Sequence, residues 1–333
     1  MPESPVWSSP VMHSVSGMVD RSRHVHTSVE AIEKVATWMA FEEFAFPSGP
    51  VDGAFSDRTN PEEIIDVSFF YAAMNFALTD FDTGVKFAAD YQGRTWSDSE
   101  GMFACVTQAL DDGVPLTDGA YLAEISRAEL GRVFSGDIEI PMLDERVEIL
   151  NTAGRTLADR YDGSAHRFVA DCAPAMYADG NGLLERLVVE FPRFNDVSIH
   201  EGHKVQLHKL AQLWLWQLHM ALASGGAFAV ADLDRMTAFA DYIVPVALRL
   251  MGILSYSPEL EAAINHGELI PADSAEEVEI RAHTLYATAL LTDAINRIRP
   301  PSQSLVVPQV DFRLWKAYHA TFWPHHLTRT IMY

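Results

Sequence analysis

The chain has 333 residues and a formal net charge of −22, a length that suits one large domain or two closely packed ones. Its 48% hydrophobic and 21% charged content excludes a disordered or fibrous chain. The acidity argues against general nucleic-acid binding, which needs a basic footprint, but leaves room for a small phosphorylated ligand on a local cluster of cations.

In chain order, MPESPVWSSP lacks the basic and apolar regions of a signal peptide. Residues 1–24 read as a loose, Pro/Ser-rich tail, and 25–333 as one body. Thr27 with Glu30 makes a capping-box pattern before VEAIEKVATWMA, and Asn60-Pro61-Glu62-Glu63 opens the apolar-periodic IIDVSFFYAAMNF. VKFAADYQGRTW reads as an antiparallel hairpin turning at Gln92-Gly93. Ser126 with Glu129, and Ser274 with Glu277, repeat the capping box. Helical periodicity continues in LDERVEILNTAGRTLADRY, VQLHKLAQLWLWQLHMAL and EEVEIRAHTLYATALLTDAINRI. Breaks at Pro47–Pro50, Asp162–Ser164 and Pro300–Pro301 read as loops within a single, mainly α domain. No apolar run has the length of a membrane span. Cys105 and Cys172 have no CxxC partner, so neither a disulfide framework nor a zinc site is expected, and a reducing cytoplasm fits.

One acid stands out. In MTAFADYIVP, Asp241 sits inside an apolar stretch, beside Tyr242 and ahead of Pro245. Proline fixes its own φ and lacks an N–H, so Asp241 falls at a helix boundary. It reads either as a helix cap or as a half-buried general base or oxocarbenium stabiliser. The two roles are compatible, because a capping position can hold a reactive group rigidly.

Other polar groups each have a plain and a functional reading. HEGH, 200–203, lacks the helical i,i+4 spacing of a zincin site and reads as a loop with solvent-facing histidines, so no metal is expected. Lys209 begins a greasy helix; it either snorkels to the surface or partners a buried acid. In EEVEIR, Glu277 and Arg281 form an i,i+4 surface pair, Glu276 and Glu277 face solvent, and Glu279 can face inward. The C-terminal DFRLWKAYHATFWPHHLTRTIMY is aromatic and locally basic. It is the best place for a phosphate, with Trp315 and Tyr333 available to stack on a planar base; its plain reading is a docked terminal helix.

Taken together, NF at 75–76, YQGRTWS, ALDDGVPLT, IPMLDERVEILNTAG, FP at 191–192, EG at 201–202, HKLAQ, FADYIVP, LSYSPEL, EEVEIR and the terminal R-x-x-x-Y form a collinear set. With it the chain resembles the queuosine salvage protein family, queuosine 5′-phosphate N-glycosidases that release the base queuine. The likeness spans roughly residue 25 to the end. His208 stands where family members usually carry an aromatic, and Leu210 and Ile243 where they carry arginine.

The resemblance implies a mainly helical fold similar to helix-hairpin-helix DNA glycosylases, with a small sheet and no cofactor. It places the family's acid–lysine pair on Asp241 and Lys209. Substrate contacts are expected at Asn75, Phe76, Tyr242, Glu279, Arg281, Asp311, Trp315, His326, Arg329 and Tyr333. Of these, Glu279 and Asp311 are candidates to read the base edge or queuine's amine, and His326, Arg329 and Tyr333 to grip the 5′-phosphate. The implied partners are queuosine 5′-monophosphate and queuine, with neither nucleic acid nor membrane. A non-catalytic binder of a modified base or nucleotide is the rival reading.

Overall fold

The structure, a computed structural model, describes residues 4–44, 58–319 and 323–333; the break expected at Pro47–Pro50 lies outside the described residues. The protein is mainly helical, with three small antiparallel strand pairs among the described residues.

The expected loose N-terminus is instead ordered from its first turn. Pro5–Ser8 forms a 3-10 turn and Pro10–Val19 a helix, α1. What reads as a Pro/Ser linker is a start signal: Ser9 Oγ accepts from the Met12 amide at 3.2 Å and Pro10 takes the first helical position. Val11, Met12, Val15 and Met18 fall on one face and pack against Val278, Ala282, Leu285 and Ala289, each such burial being worth about 2 kcal/mol.

Strand β1 (Val25–Thr27) pairs antiparallel with a later strand at Leu254–Tyr256. Helix α2 (Val29–Met39) is capped one residue later than expected, by Ser28, because the Thr27 hydroxyl is bonded to His283 Nδ1 at 2.8 Å. Asn60 caps α3 (Pro61–Met74), which is buried nearly all round. Then β2 (Ala88–Tyr91) and β3 (Arg94–Ser97) form the expected hairpin, Gln92 and Gly93 both taking positive φ in its two-residue turn.

Helices α4 (Ser99–Asp111), α5 (Gly119–Glu124), α6 (Arg127–Val133) and α7 (Leu143–Arg160) follow. Ser126 and Glu129 complete a reciprocal capping box on α6. The α5–α7 crossing needs Gly154, since a Cβ there would lie 2.3 Å from the Ala123 nitrogen. Next come α8 (Ala165–Asp171) and α9 (Leu183–Glu190).

The HEGH stretch corrects the loop reading. Val197–His200 and His203–Gln206 are strands β4 and β5, and Glu201-Gly202 is their positive-φ turn. His203 is exposed, but His200 is buried, its Nε2 3.1 Å from Glu279 Oε1. The helix expected over 205–222 accordingly begins only at Lys209: α10 is Lys209–Leu222, and Val205 and Gln206 belong to β5.

The chain ends with α11 (Val244–Leu250), β6 (Leu254–Tyr256), α12 (Pro258–Asn265), α13 (Ala275–Ile298) and α14 (Val307–Tyr318). One apolar cluster is built on α3, α7 and α10, another on α2, α11 and α14. Helix α13 lies between layers, giving Ile280, Ala287 and Leu291 to the second cluster and its Val278–Ala289 face to α1. Among the described residues no helix is long and apolar enough to cross a membrane.

Candidate active site

Asp241 occupies the boundary that Pro245 requires. Its Oδ1 accepts from the amides of Ile243 and Val244, both at 2.9 Å, so the carboxylate does cap the first turn of α11. Among the described residues no hydrogen bond reaches Oδ2. The residue is 8% exposed. Burial raises its pKa, while Lys209 and the two amides work against that rise.

Lys209 does not snorkel; it is 7% exposed. Its position at the first residue of α10 is one the helix dipole disfavours for a cation. Burial lowers its pKa, and the charges of Asp241 and Asp311 oppose that. The backbone is set by His208, held at φ +48°, and by Asp196, whose Oδ2 accepts from the Lys209 amide at 3.1 Å.

The Asp241 loop is clamped from two helices. From α13, Arg281 Nε donates to the Ala240 carbonyl at 3.2 Å. From α14, Asp311 Oδ2 accepts from the Phe239 amide at 2.9 Å. Asp311 is buried and acts electrostatically on Lys209. Arg281 also grips Asp196, Nη1 to Oδ1 at 3.0 Å, and reaches Glu277 at 3.3 Å. Burial works against the guanidinium's charge, but Asp196 and Glu277 outweigh it and raise its pKa.

Thus the structure brings Asp241, Lys209, Asp311 and Arg281 together. Tyr242 stays beside them, its ring 4.6 Å from that of His325, and His325 in turn acts on Asp241. Phe76 is buried between two guanidiniums, Arg146 at 4.1 Å and Arg193 at 4.7 Å from its ring. Asn75 lines a small gap with Tyr71, Phe103, Trp214 and Leu210, and neither Asp241 nor Lys209 is part of its wall.

Other expected contacts already have partners within the protein. Glu279 is fully buried, but its oxygens accept from the amides of Arg23, His24 and Val25 and face His200; it anchors the N-terminal segment to α13. Trp315 reaches the surface and stacks on His319 at 4.6 Å. His326 and Tyr333 are bonded to each other at 3.1 Å in the interior, with the Tyr333 ring 4.5 Å from the Arg281 guanidinium. Arg329 points outward to Glu145 at 3.2 Å, so the three tail residues do not converge on one point.

Glu277, expected in solvent, is buried against Arg281: Ser274 still caps its amide at 3.2 Å, but its side chain turns inward. Asp196, which holds the Lys209 amide and Arg281, and Arg193, which packs on Phe76 and donates to the Ala73 carbonyl, are absent from the sequence reading. An aspartate in the turn-like FND and an arginine after FP look like ordinary loop residues; the sequence offered no other signal for them.

Comparison with known proteins decides the family. The profile of a family described as Queuosine salvage protein matches residues 55–333. The chain belongs to this family. The resemblance drawn from the collinear motifs is therefore borne out. Among relatives, the chain is similar to a protein of Sphaerobacter thermophilus named Queuosine 5′-phosphate N-glycosylase/hydrolase, with 34% identity over 97% of each chain. Proteins of the same name from Bos taurus and Schizosaccharomyces pombe are each 29% identical, over 72% and 78% of this chain and 69% and 75% of theirs.

Proposed function

We propose that this queuosine salvage family member hydrolyses the N-glycosidic bond of queuosine 5′-monophosphate, releasing queuine and ribose 5-phosphate. The observation that carries the reading is Asp241: a buried carboxylate with one oxygen fixed by two amides and a lysine as counter-charge, in a chain of this family.

Cleavage develops positive charge at C1′ and the ring oxygen. A fixed carboxylate stabilises that charge more in the transition state than in the ground state. As the C1′–N bond breaks, its electron pair leaves with the base and water adds to C1′. Asp241 orients that water and receives its proton. Queuine is a 7-deazapurine with no N7 to protonate, so C1′ electrostatics bear more of the barrier and the base must be stabilised at its other edge atoms. Lys209 keeps Asp241 ionised and positioned; plain hydrolysis requires no covalent lysine adduct. Tyr242, beside Asp241, is the contact to substrate that the arrangement supports; Asn75 is carried as a contact by the family resemblance.

The architecture of helix-hairpin-helix DNA glycosylases belongs to this reading as well, and what supports it is the mainly helical fold with small antiparallel strand pairs. So does a cytoplasmic, metal-free enzyme that binds no nucleic acid directly, in keeping with two free cysteines and strong acidity. The test is incubation with queuosine, its 5′-monophosphate and its 3′-monophosphate, followed by mass detection of free base. Tight binding of the 5′-monophosphate without base release would favour the rival binding-protein reading.

A further inference from the structure

Two carboxyls and one ammonium meet in the site. Asp241 comes from the loop, Asp311 from α14 and Lys209 from the start of α10, and all three are buried. Nearby charges do not even the balance. Arg281 on α13 is bonded to Asp196 and Glu277, and with Arg193 it acts against the charge of Lys209. His325 faces Asp241, with burial holding its pKa down. On α14 itself Arg313 turns away to Glu42 at 2.6 Å, and on α11, packed against α14, Arg249 pairs with Glu261 at 3.1 Å.

Arg281 is committed to Asp196 and Glu277 and Arg193 to the Ala73 carbonyl, so among the described residues the two buried carboxyls share Lys209 as their counter-charge, and one of them keeps a proton. The donors decide which. Two amides converge on Asp241 Oδ1, whereas Asp311 has the single amide of Phe239. The anion is therefore better held at Asp241 and the proton at Asp311.

We propose that Asp311 is a positioning residue of this site, held in its acid form, with one oxygen pinning Phe239 two residues before Asp241 while its retained proton leaves Lys209 to balance Asp241 alone. The proposal rests on the reading of Asp241 as the reactive carboxylate. Burial, and next the charge of Asp241, push Asp311 well above the usual carboxylate range, in agreement.

Asp311→Asn keeps an acceptor for the Phe239 amide and removes the proton. Two measurements on the full chain test the proposal. In the infrared spectrum at neutral pH, the wild type should show the carbonyl stretch of a buried protonated acid, and its intensity should fall in Asp311→Asn. In turnover, Asp311→Asn should lose less than about tenfold in kcat near neutrality. Its alkaline limb should move to lower pH, because Lys209 no longer gains a second counter-charge when Asp311 ionises. Asp311→Ala, which removes the acceptor too, should lose at least about tenfold more in kcat with little change in KM.

A protonated-acid band of undiminished intensity in Asp311→Asn overturns the proposal whatever the enzyme does, since a second buried acid such as Glu277 would contribute equally in both proteins. So do pH profiles that superimpose, the mark of a purely structural clamp. Failure of the wild type to release base would instead overturn the enzymatic reading, and the infrared result would still decide where the proton sits. Should Asp311→Asn not fold, NMR titration of the wild-type aspartate carboxyl carbons decides the same point, since one aspartate must remain protonated at neutral pH.

Discussion

Asp196 and Arg281 form a buried two-point ion pair, and each also holds one half of the reactive pair: Asp196 caps the Lys209 amide, and Arg281 binds the carbonyl of Ala240, next to Asp241. The distance between acid and lysine therefore depends on an interaction that includes neither of their side chains. Removing one member of a buried pair leaves the other uncompensated, at a cost of about 3–5 kcal/mol. Asp196→Ala should destabilise the fold by that amount in urea unfolding and lower kcat in whatever folds. A loss below about 1 kcal/mol would place the pair among those that contribute little.

Asp241→Asn should abolish base release and leave the fold intact, since the amide oxygen of Asn can still accept from Ile243 and Val244. Loss of a transition-state carboxylate costs at least about 3 kcal/mol, or roughly a hundredfold in rate. Retention of more than about a tenth of wild-type turnover would contradict the assignment. The acid limb of the pH–rate profile should also lie above the ordinary carboxylate range, because Asp241 must be ionised and burial raises its pKa.

The buried histidines predict acid sensitivity of defined sign. Burial pushes His326 down to about 3, so it is neutral in the fold and protonates near 6.5 when unfolded. Between those values the unfolded chain binds the extra proton. The stability His326 contributes is thus present above about pH 6.5 and is lost as pH falls toward its folded value. Other buried groups titrate in the same window, so the test is differential. His326→Phe should flatten the dependence of unfolding free energy on pH by about 1.4 kcal/mol per pH unit between pH 4 and 6. An unchanged slope would show that His326 is charged in the fold.

The C-terminal residues separate two roles that their spacing merged. Arg329→Ala should change stability by less than about 1 kcal/mol, as suits an exposed pair with Glu145. It should leave the ratio of catalytic efficiencies on 5′-monophosphate and nucleoside unaltered. Removing Tyr333 should depress turnover of both substrates together, because its ring covers Arg281 beside Glu277. A fall of tenfold or more in the monophosphate-to-nucleoside ratio for Arg329→Ala would instead put the phosphate at the tail.

Chelation should leave base release unaffected. His200 already faces Glu279 and His203 points outward, so HEGH does not present two histidines to one ion. Activity lost to a chelator and restored by one divalent ion would reverse this.

What was legible in the sequence was local. Caps at Asn60 and Ser126, the Gln92-Gly93 turn and the boundary at Asp241 depend on a few adjacent residues, and pattern reading found them. The Glu201-Gly202 turn obeys the same chemistry, but the polar histidines flanking it read as a solvent-facing loop, and only the burial of His200 against Glu279 makes that segment a strand pair. Partnership across the chain was not legible. Glu277 and Arg281 have the spacing of a surface pair, and only Asp196, Tyr333 and the packing of α13 between two apolar layers make them internal. Likewise Arg329 and His326 are neighbours in sequence, yet one faces solvent and the other Tyr333.

The anchoring of Arg23, His24 and Val25 by Glu279 bears on where the folding unit begins. A shortened chain spanning just the family-matched residues 55–333 would lack α1, β1 and α2. Strand β6 would become an unpaired edge, and the α13 face under α1 would be an apolar surface open to self-association. Glu279 would be left with His200 alone. Such a fragment should be recovered as aggregate, and in the intact protein a proteolytic nick before α2 should release no stable core.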